Sequence, residues 1–231
     1  MVERHFEALS GLPAERMRVI YNGVDLEKFS PPRRQQFRAD TRAKLGLANE
    51  TLFFLLAHNL RLKNAETLIR AMGLLAARGK PTHLVIAGND KTSPYERLAA
   101  KTEAAGRITF LGLVDPVAYY AAADACVLPT WYDPCSLFTL EAWAAGLPVI
   151  TTRYNGASEL MTDGVQGYTL PEPGDHIALA GQMESLLDEQ ARAKMGEAAR
   201  KLAMEHSFER QTNEFIALYE EVVRNKMTKH E

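Results

Sequence analysis

Two carboxylates, Asp133 and Glu141, lie with seven residues between them in the stretch Trp131-Tyr-Asp-Pro-Cys-Ser-Leu-Phe-Thr-Leu-Glu-Ala-Trp-Ala-Ala-Gly-Leu-Pro-Val-Ile-Thr151. They flank a small-residue turn that opens a helix. A helix starting near Ser136 aims the unpaired N–H groups of Ser136, Leu137 and Phe138, with its positive dipole end, at an anion such as a diphosphate. Asp133, ahead of the turn, can reach a sugar hydroxyl. Glu141, about one and a half turns into the helix, can accept hydrogen bonds from both hydroxyls of a ribose, as the acid of dinucleotide folds does. This layout suits a nucleotide sugar. An ordinary loop-to-helix junction, with Asp133 solvated and Glu141 paired to a Lys or Arg, fits the same residue types.

The second constellation is His58-Asn-Leu-Arg-Leu-Lys63, between the first core strand and the next helix. Open α/β sheets bind ligands beyond the carboxyl ends of their strands. There the planar fork of Arg61 and the point charge of Lys63 complement a diphosphate, with Asn59 beside them as a polar contact. The two cations can neutralise charge growing on a leaving phosphate, a task other enzymes give to a divalent metal. Solvated basic residues at a helix start are the alternative, though cations there oppose the dipole. Gly88 ends a strand and reads first as a turn, with close approach of a nucleotide to its backbone as the functional version. His58 fits a packed strand-end residue as well as a ligand. Trp131 and Tyr132 can stack on a base or sugar, yet two aromatics beside a loop read more readily as core anchors.

The acid, seven residues, Glu-Ala, then Ala-Gly-Leu-Pro-Val-Ile resembles the E-x7-E pattern of glycosyltransferase family 4. In that family it marks the donor-binding, C-terminal half of retaining enzymes with the two-domain glycosyltransferase-B fold. Further landmarks follow in the family's order: Val19-Ile-Tyr-Asn-Gly-Val-Asp25 with Phe29, Leu60-Arg-Leu-Lys-Asn64, Leu84-Val-Ile-Ala-Gly88, Ile108-Thr-Phe-Leu-Gly112, Ala123-Asp-Ala-Cys-Val-Leu-Pro129 and Asn155-Gly-Ala-Ser-Glu159. The chain departs from the pattern at Asp133, usually Glu, at Pro134-Cys135, usually Gly-Phe, and at Asn64, often Gly. Asn64 can still adopt the left-handed conformation.

The resemblance implies a UDP- or GDP-linked sugar as co-substrate, no cofactor and no metal. The acceptor would be a glycan or lipid-linked molecule of the cell envelope. Leu113 and Val114 would contact the base, largely through backbone groups. The implied setting is cytoplasmic, with room for peripheral association of the full enzyme with the inner face of the membrane. Residues 1–22 then read as the tail of an N-terminal acceptor domain missing from this chain, of about 150 residues. Residues 23–206 read as the nucleotide-sugar-binding domain, and 207–231 as a C-terminal helix packing back toward the acceptor domain. The chain is expected to be a fragment; a natural protein keeping only the donor half is the alternative. A non-catalytic nucleotide-sugar-binding module and a sugar-nucleotide epimerase remain as competing functions.

The elements that must position these residues follow from composition and pattern. With 231 residues, 46% hydrophobic and a net charge of −2, the chain can bury a substantial core. Its near-neutral balance argues against a nucleic-acid surface. Cys126 and Cys135 have no metal-ligand spacing and read as reduced thiols. No apolar run is long enough to span a membrane, and the N-terminus lacks the apolar core of a signal peptide.

Short β-rich runs at Thr51–Ala57, His83–Ala87, Ile108–Leu111, Ala125–Leu128 and Val149–Thr151 read as strands buried on both faces. Amphipathic patterns at Ala65–Arg78, Pro94–Ala105, Pro116–Ala122 and Leu137–Ala145 lie between them. Gly146-Leu-Pro148 fits a helix C-cap before a strand. Asn155-Gly156 reads as a turn before a short helix capped near Ser158. After Gly167 the pattern predicts only helices, at Asp175–Asp188, Glu189–Glu205 and Phe208–Lys226, the last capped by Ser207. The expected fold is α/β, a Rossmann-like doubly wound parallel sheet with C-terminal helices.

Overall fold

Strands with side chains buried on both faces need helices on both sides, and the computed structural model, which describes residues 7–227, builds that layering. Strands β1 (Thr51–Leu56), β2 (Thr82–Ala87), β3 (Ile108–Leu111), β4 (Ala125–Leu128), β5 (Val149–Thr152) and β6 (Gly167–Leu170) form one sheet in the order β3-β2-β1-β4-β5-β6. Every pairing is parallel. From β1 the chain winds outward to β3, then crosses back to β4 and winds the other way. With the right-handed crossovers that parallel strands adopt, this order puts the helices of the two halves on opposite faces and opens a crevice between the carboxyl ends of β1 and β4.

The helices are α1 (Pro31–Lys44), α2 (Ala65–Ala77), α3 (Ser93–Ala99), α4 (Pro116–Ala122), α5 (Leu137–Ala144), α6 (His176–Ser185), α7 (Glu189–Met204) and α8 (Phe208–Met227). α2 packs with α6, α5 with α7, and α1 with α4. Phe53, Phe54, Leu55, Leu84, Val127 and Ile150 from the strands are fully buried, as are Leu68, Met72 and Trp143 from α2 and α5. The expected strands and helices appear within a residue or two, apart from the stretch 94–105, whose helix ends at Ala99, and the helix expected to reach Asp188, which ends at Ser185. Gly146 adopts φ 72° at the end of α5, and Ser207 Oγ accepts the N–H of Arg210 at 3.1 Å as the cap of α8.

Three features differ from the sequence reading. β6 follows Gly167 where only helices were expected; it is a four-residue, half-buried edge strand without an apolar run. α1 carries no apolar stripe and buries only Thr41. Charge docks it instead: Arg38 and Arg42 reach the two oxygens of buried Asp124 at 2.5 and 3.1 Å, while Arg34 and Arg38 donate to the Ala123 carbonyl. The short helix at Gly156–Leu160 is capped by Asn155, which accepts from Ala157 N–H, rather than near Ser158.

α8 buries none of its residues and leaves Phe215, Ile216, Tyr219, Val222 and Val223 exposed along its length. Its start is tied to the segment before α1, where Val24 pairs with Ser207. No helix among the described residues is long and apolar enough to cross a membrane.

Candidate functional site

The loops after β1 and β4 meet at the crevice. Lys63 Nζ donates to Asp133 Oδ2 at 2.6 Å, with the two side chains 20% and 12% exposed. One basic residue and one acid from opposite halves of the sheet thus form a largely buried pair. Lys63 is aimed by its neighbour: Asn64 stands in the left-handed region at φ 57°, ψ 47° and starts α2. Its side chain holds that shape, donating to Pro173 O at 2.7 Å and accepting from the Thr67 hydroxyl at 2.9 Å. Asparagine tolerates this backbone better than most residues, so it stands in for glycine here.

The turn bearing Asp133 is fastened on two sides. Asp133 N–H donates to Tyr154 O and Gly156 N–H donates to Asp133 O, a short parallel bridge. Asn155, with no exposed surface, accepts from Ser136 N–H at 3.2 Å and Ala157 N–H at 3.1 Å. Its amide donates to the hydroxyls of Thr139 and Thr151, both at 3.0 Å. From the other side Asn22 donates to Cys135 O at 2.8 Å. A Cβ on Gly156 would collide with the Pro134 carbonyl oxygen, so the two loops can lie this close only with glycine there.

α5 starts at this turn, and Ser136 makes no side-chain cap. With Ser136 N–H taken by Asn155, the N–H groups of Leu137 and Phe138 have no backbone partner among the described residues, as expected for the orphan donors of a helix start. The Phe138 side chain is buried and that of Leu137 about half exposed, so both offer backbone rather than side-chain chemistry. Glu141 follows on α5. Its Oε2 accepts the hydroxyl of fully buried Tyr120 at 2.7 Å, and the Tyr120 hydroxyl oxygen also lies 3.3 Å from Phe138 O. Burial pushes the Glu141 carboxyl above the ordinary range, opposed by the Tyr120 hydrogen bond and by Lys28. Burial together with the Glu141 charge drives the Tyr120 phenol well above its usual value.

The other expected contacts spread more widely. Arg61 is exposed, its carbonyl accepting from Asn64 N–H at 3.2 Å, and it lines an open cleft of about 450 Å³ with Tyr95, Trp131 and His176. Trp131 is 50% exposed and Tyr132 half-buried, so Trp131 is not the core anchor its neighbourhood suggested. His58 is exposed, its Nδ1 2.8 Å from Asn89 Oδ1, rather than packed. Asn59 is exposed, its Oδ1 accepting from Leu62 N–H at 2.9 Å. Gly88 sits at φ 141°, where a Cβ would collide with the Ala57 carbonyl oxygen. That backbone approach accounts for the glycine without a ligand. Leu113 is 72% exposed and Val114 half-buried beyond the end of β3. Among the described residues no group of three His, Cys, Asp or Glu side chains is placed to hold a metal. Cys126 and Cys135 are free.

Three residues at the site escaped the sequence reading: Tyr120, Asn155 and Asn22. Asn155 precedes a glycine, which suggested a turn, and Asn22 stood only within a family landmark; their role as amides bonded to distant backbone becomes visible only in three dimensions. Tyr120 gives no signal, since a tyrosine inside an apolar helix reads as core.

The sequence model of the family described as glycosyl transferases group 1 matches residues 37–202. A D-inositol 3-phosphate glycosyltransferase of Streptomyces avermitilis is 31% identical over 215 residues, which cover 87% of this chain and 45% of that protein. The chain spans about half the length of the curated relatives it matches. Among solved structures, sucrose-phosphate synthase from Thermosynechococcus elongatus superposes with a TM-score of 0.80 at 26% identity, over 96% of this chain and 57% of that one. HepE of Anabaena in complex with UDP-glucose does so with a TM-score of 0.82 at 23% identity, over 95% and 61%, a likeness of fold.

Proposed function

Since the chain belongs to the group 1 glycosyl transferases, we propose that it is the donor-binding half of a retaining hexosyltransferase that takes its sugar from a UDP- or GDP-linked donor. The observation that carries this reading is the Lys63–Asp133 pair, set between β1 and β4 beside the start of α5. A diphosphate in the crevice meets the Leu137 and Phe138 N–H groups and the remaining protons of the Lys63 ammonium. Arg61, on a free side chain, swings in as the second cation. Glu141, held by Tyr120 through one oxygen, offers the other to the ribose hydroxyls. Asp133 accepts a hydroxyl of the sugar, and the backbone near Leu113 and Val114 borders the base.

No carboxylate of this half stands as an obvious covalent nucleophile, which favours front-face transfer. The bond from the anomeric carbon to the phosphate oxygen breaks and the phosphate keeps the electron pair. The acceptor hydroxyl attacks from the same side and its proton passes to that phosphate. Lys63, Arg61 and the α5 N–H groups stabilise the developing charge in place of a metal. The acceptor, a glycan or lipid-linked hydroxyl of the cell envelope, contacts mainly an N-terminal domain, and the bare apolar side of α8 packs against that domain. Such an enzyme works on the cytoplasmic side, with peripheral contact to the membrane for a lipid-linked acceptor.

Calorimetric titration with UDP-, GDP- and ADP-sugars tests donor binding directly. Assays for nucleoside diphosphate release, with and without a glycan acceptor, then test transfer. Binding without release marks a non-catalytic module, and isomerisation of the donor without release marks an epimerase. Absence of binding across the panel overturns the reading.

A further inference from the structure

We propose that Asn155 is a positioning residue for the diphosphate, fixing which N–H groups of α5 face it and where Asp133 stands. The inference rests on the donor-site reading above and assigns a function to a residue outside the acid pair and the cationic loop. Asn155 is wholly buried, and both ends of its amide are occupied. The oxygen accepts from Ser136 and Ala157, and the NH2 group donates to Thr139 on α5 and Thr151 on β5. One side chain therefore joins the strand, the helix start and the two loops. Thr151 Oγ1 donates to Leu128 O at 3.0 Å, so its lone pairs are left to accept, and the Asn155 NH2 donates to them at 3.0 Å.

Two consequences follow for the ligand. Because Asn155 consumes the Ser136 N–H, the anion is held by Leu137 and Phe138, one residue further into α5. And because Asp133 is paired through its backbone to residues 154 and 156, any shift of Asn155 moves the acid and the helix start together. The amide is neutral, so it fixes this geometry without adding a charge that would repel phosphate. An aspartate of the same shape would keep the bonds from Ser136 and Ala157 but place a negative charge under the helix start and turn a second acceptor toward Thr151.

The test compares UDP and GDP with uridine and guanosine by calorimetry, on the parent chain, Asn155→Asp and Thr139→Val. For whichever diphosphate binds the parent, Asn155→Asp should lose at least tenfold in diphosphate affinity and less than twofold in affinity for the matching nucleoside. Thr139→Val, which removes one amide partner in a nearly isosteric way, should show the same selectivity with a loss of a few fold, and it covers the case in which the aspartate variant does not fold. A purely structural role would weaken diphosphate and nucleoside alike, and that result, or no loss at all, overturns the inference. Failure of the parent to bind either diphosphate overturns the donor-site reading and this inference with it.

Discussion

Lys63 Nζ lies 2.6 Å from Asp133 Oδ2, although one residue follows β1 and the other follows β4. The cation and the acid therefore belong to one unit, and each tunes what the other offers a ligand. An ammonium has three protons; one points to Asp133 and two remain for a ligand. In the proposed donor complex, a diphosphate that draws Lys63 toward itself would leave Asp133 a lone pair for a sugar hydroxyl.

That pairing should appear in a double-mutant cycle on the stability of the chain. Lys63→Ala leaves a carboxylate only 12% exposed without its partner, at a cost of roughly 1.5–3 kcal/mol. Lys63→Ala combined with Asp133→Ala should cost less than the sum of the two single changes by at least about 0.5 kcal/mol. Additive losses in chemical denaturation would show that the two side chains do not interact in solution.

The two acids should separate by ligand. Glu141→Ala should weaken nucleoside diphosphate binding by about 1.5–3 kcal/mol, the worth of hydrogen bonds to a charged acceptor. Asp133→Ala should leave the bare diphosphate bound as well or better, since Lys63 is released to it, and weaken only the nucleotide sugar. Equal effects of the two mutants on the bare diphosphate would defeat this division of roles.

Glu141 also carries a pH signature. Burial raises its folded-state pKa, so the charged form destabilises the fold above that pKa, and the penalty fades as pH falls toward the ordinary carboxylate range. Glu141→Gln should therefore raise the melting temperature at neutral pH, with the gain shrinking on acidification, while nucleotide affinity drops. Tyr120→Phe removes the hydrogen bond that favours the carboxylate, so the acid-side loss of nucleotide affinity should begin at higher pH. A melting gain that does not change with pH, or an unmoved affinity profile in Tyr120→Phe, would contradict this.

In a full two-domain enzyme, Lys63→Ala should lower the transfer rate more than donor affinity, because its partner charge grows in the transition state. Arg61→Lys should be partly tolerated, since a point charge does not reproduce a planar fork on phosphate. EDTA should leave parent and variants unchanged. Loss of activity on chelation, restored by magnesium or manganese, would refute the assignment of the metal's role to these side chains.

Asn64 offers a test of the backbone alone. Asn64→Ala and Asn64→Gly both lose the bonds to Pro173 O and Thr67, but alanine also meets the left-handed penalty of about 1–2 kcal/mol. The alanine variant should therefore unfold at lower denaturant than the glycine variant; the reverse order would mean that the left-handed turn is not maintained.

Most of the sheet was legible because strands buried on both faces leave continuous apolar runs, as in Thr51-Leu-Phe-Phe-Leu-Leu56 and Thr82-His-Leu-Val-Ile-Ala87. β6 was not, since Gly167-Tyr-Thr-Leu170 is a short edge whose few side chains carry no period. α1 hid for a different reason: arginines bound to Asp124 hold it, and apolar spacing is blind to ion pairs. At the site, Asp133, Lys63 and Glu141 stood out as charges in suspicious positions. The contact of Lys63 with Asp133 spans 70 positions, the hold of Tyr120 on Glu141 spans 21 and that of Asn155 on Ser136 spans 19, separations that no local pattern encodes.

The strand order has a kinetic consequence. β1 pairs with β2 through six register positions but with β4 through only Phe53–Ala125 and Phe54–Cys126, so each half of the sheet can assemble on local connections while the seam waits for the long crossover. Lys63 rides on one half, Asp133 and α5 on the other. Neither half alone has a binding crevice, and nucleotide affinity should therefore emerge in the final step of folding, making a bound nucleotide a reporter of the seam's closure.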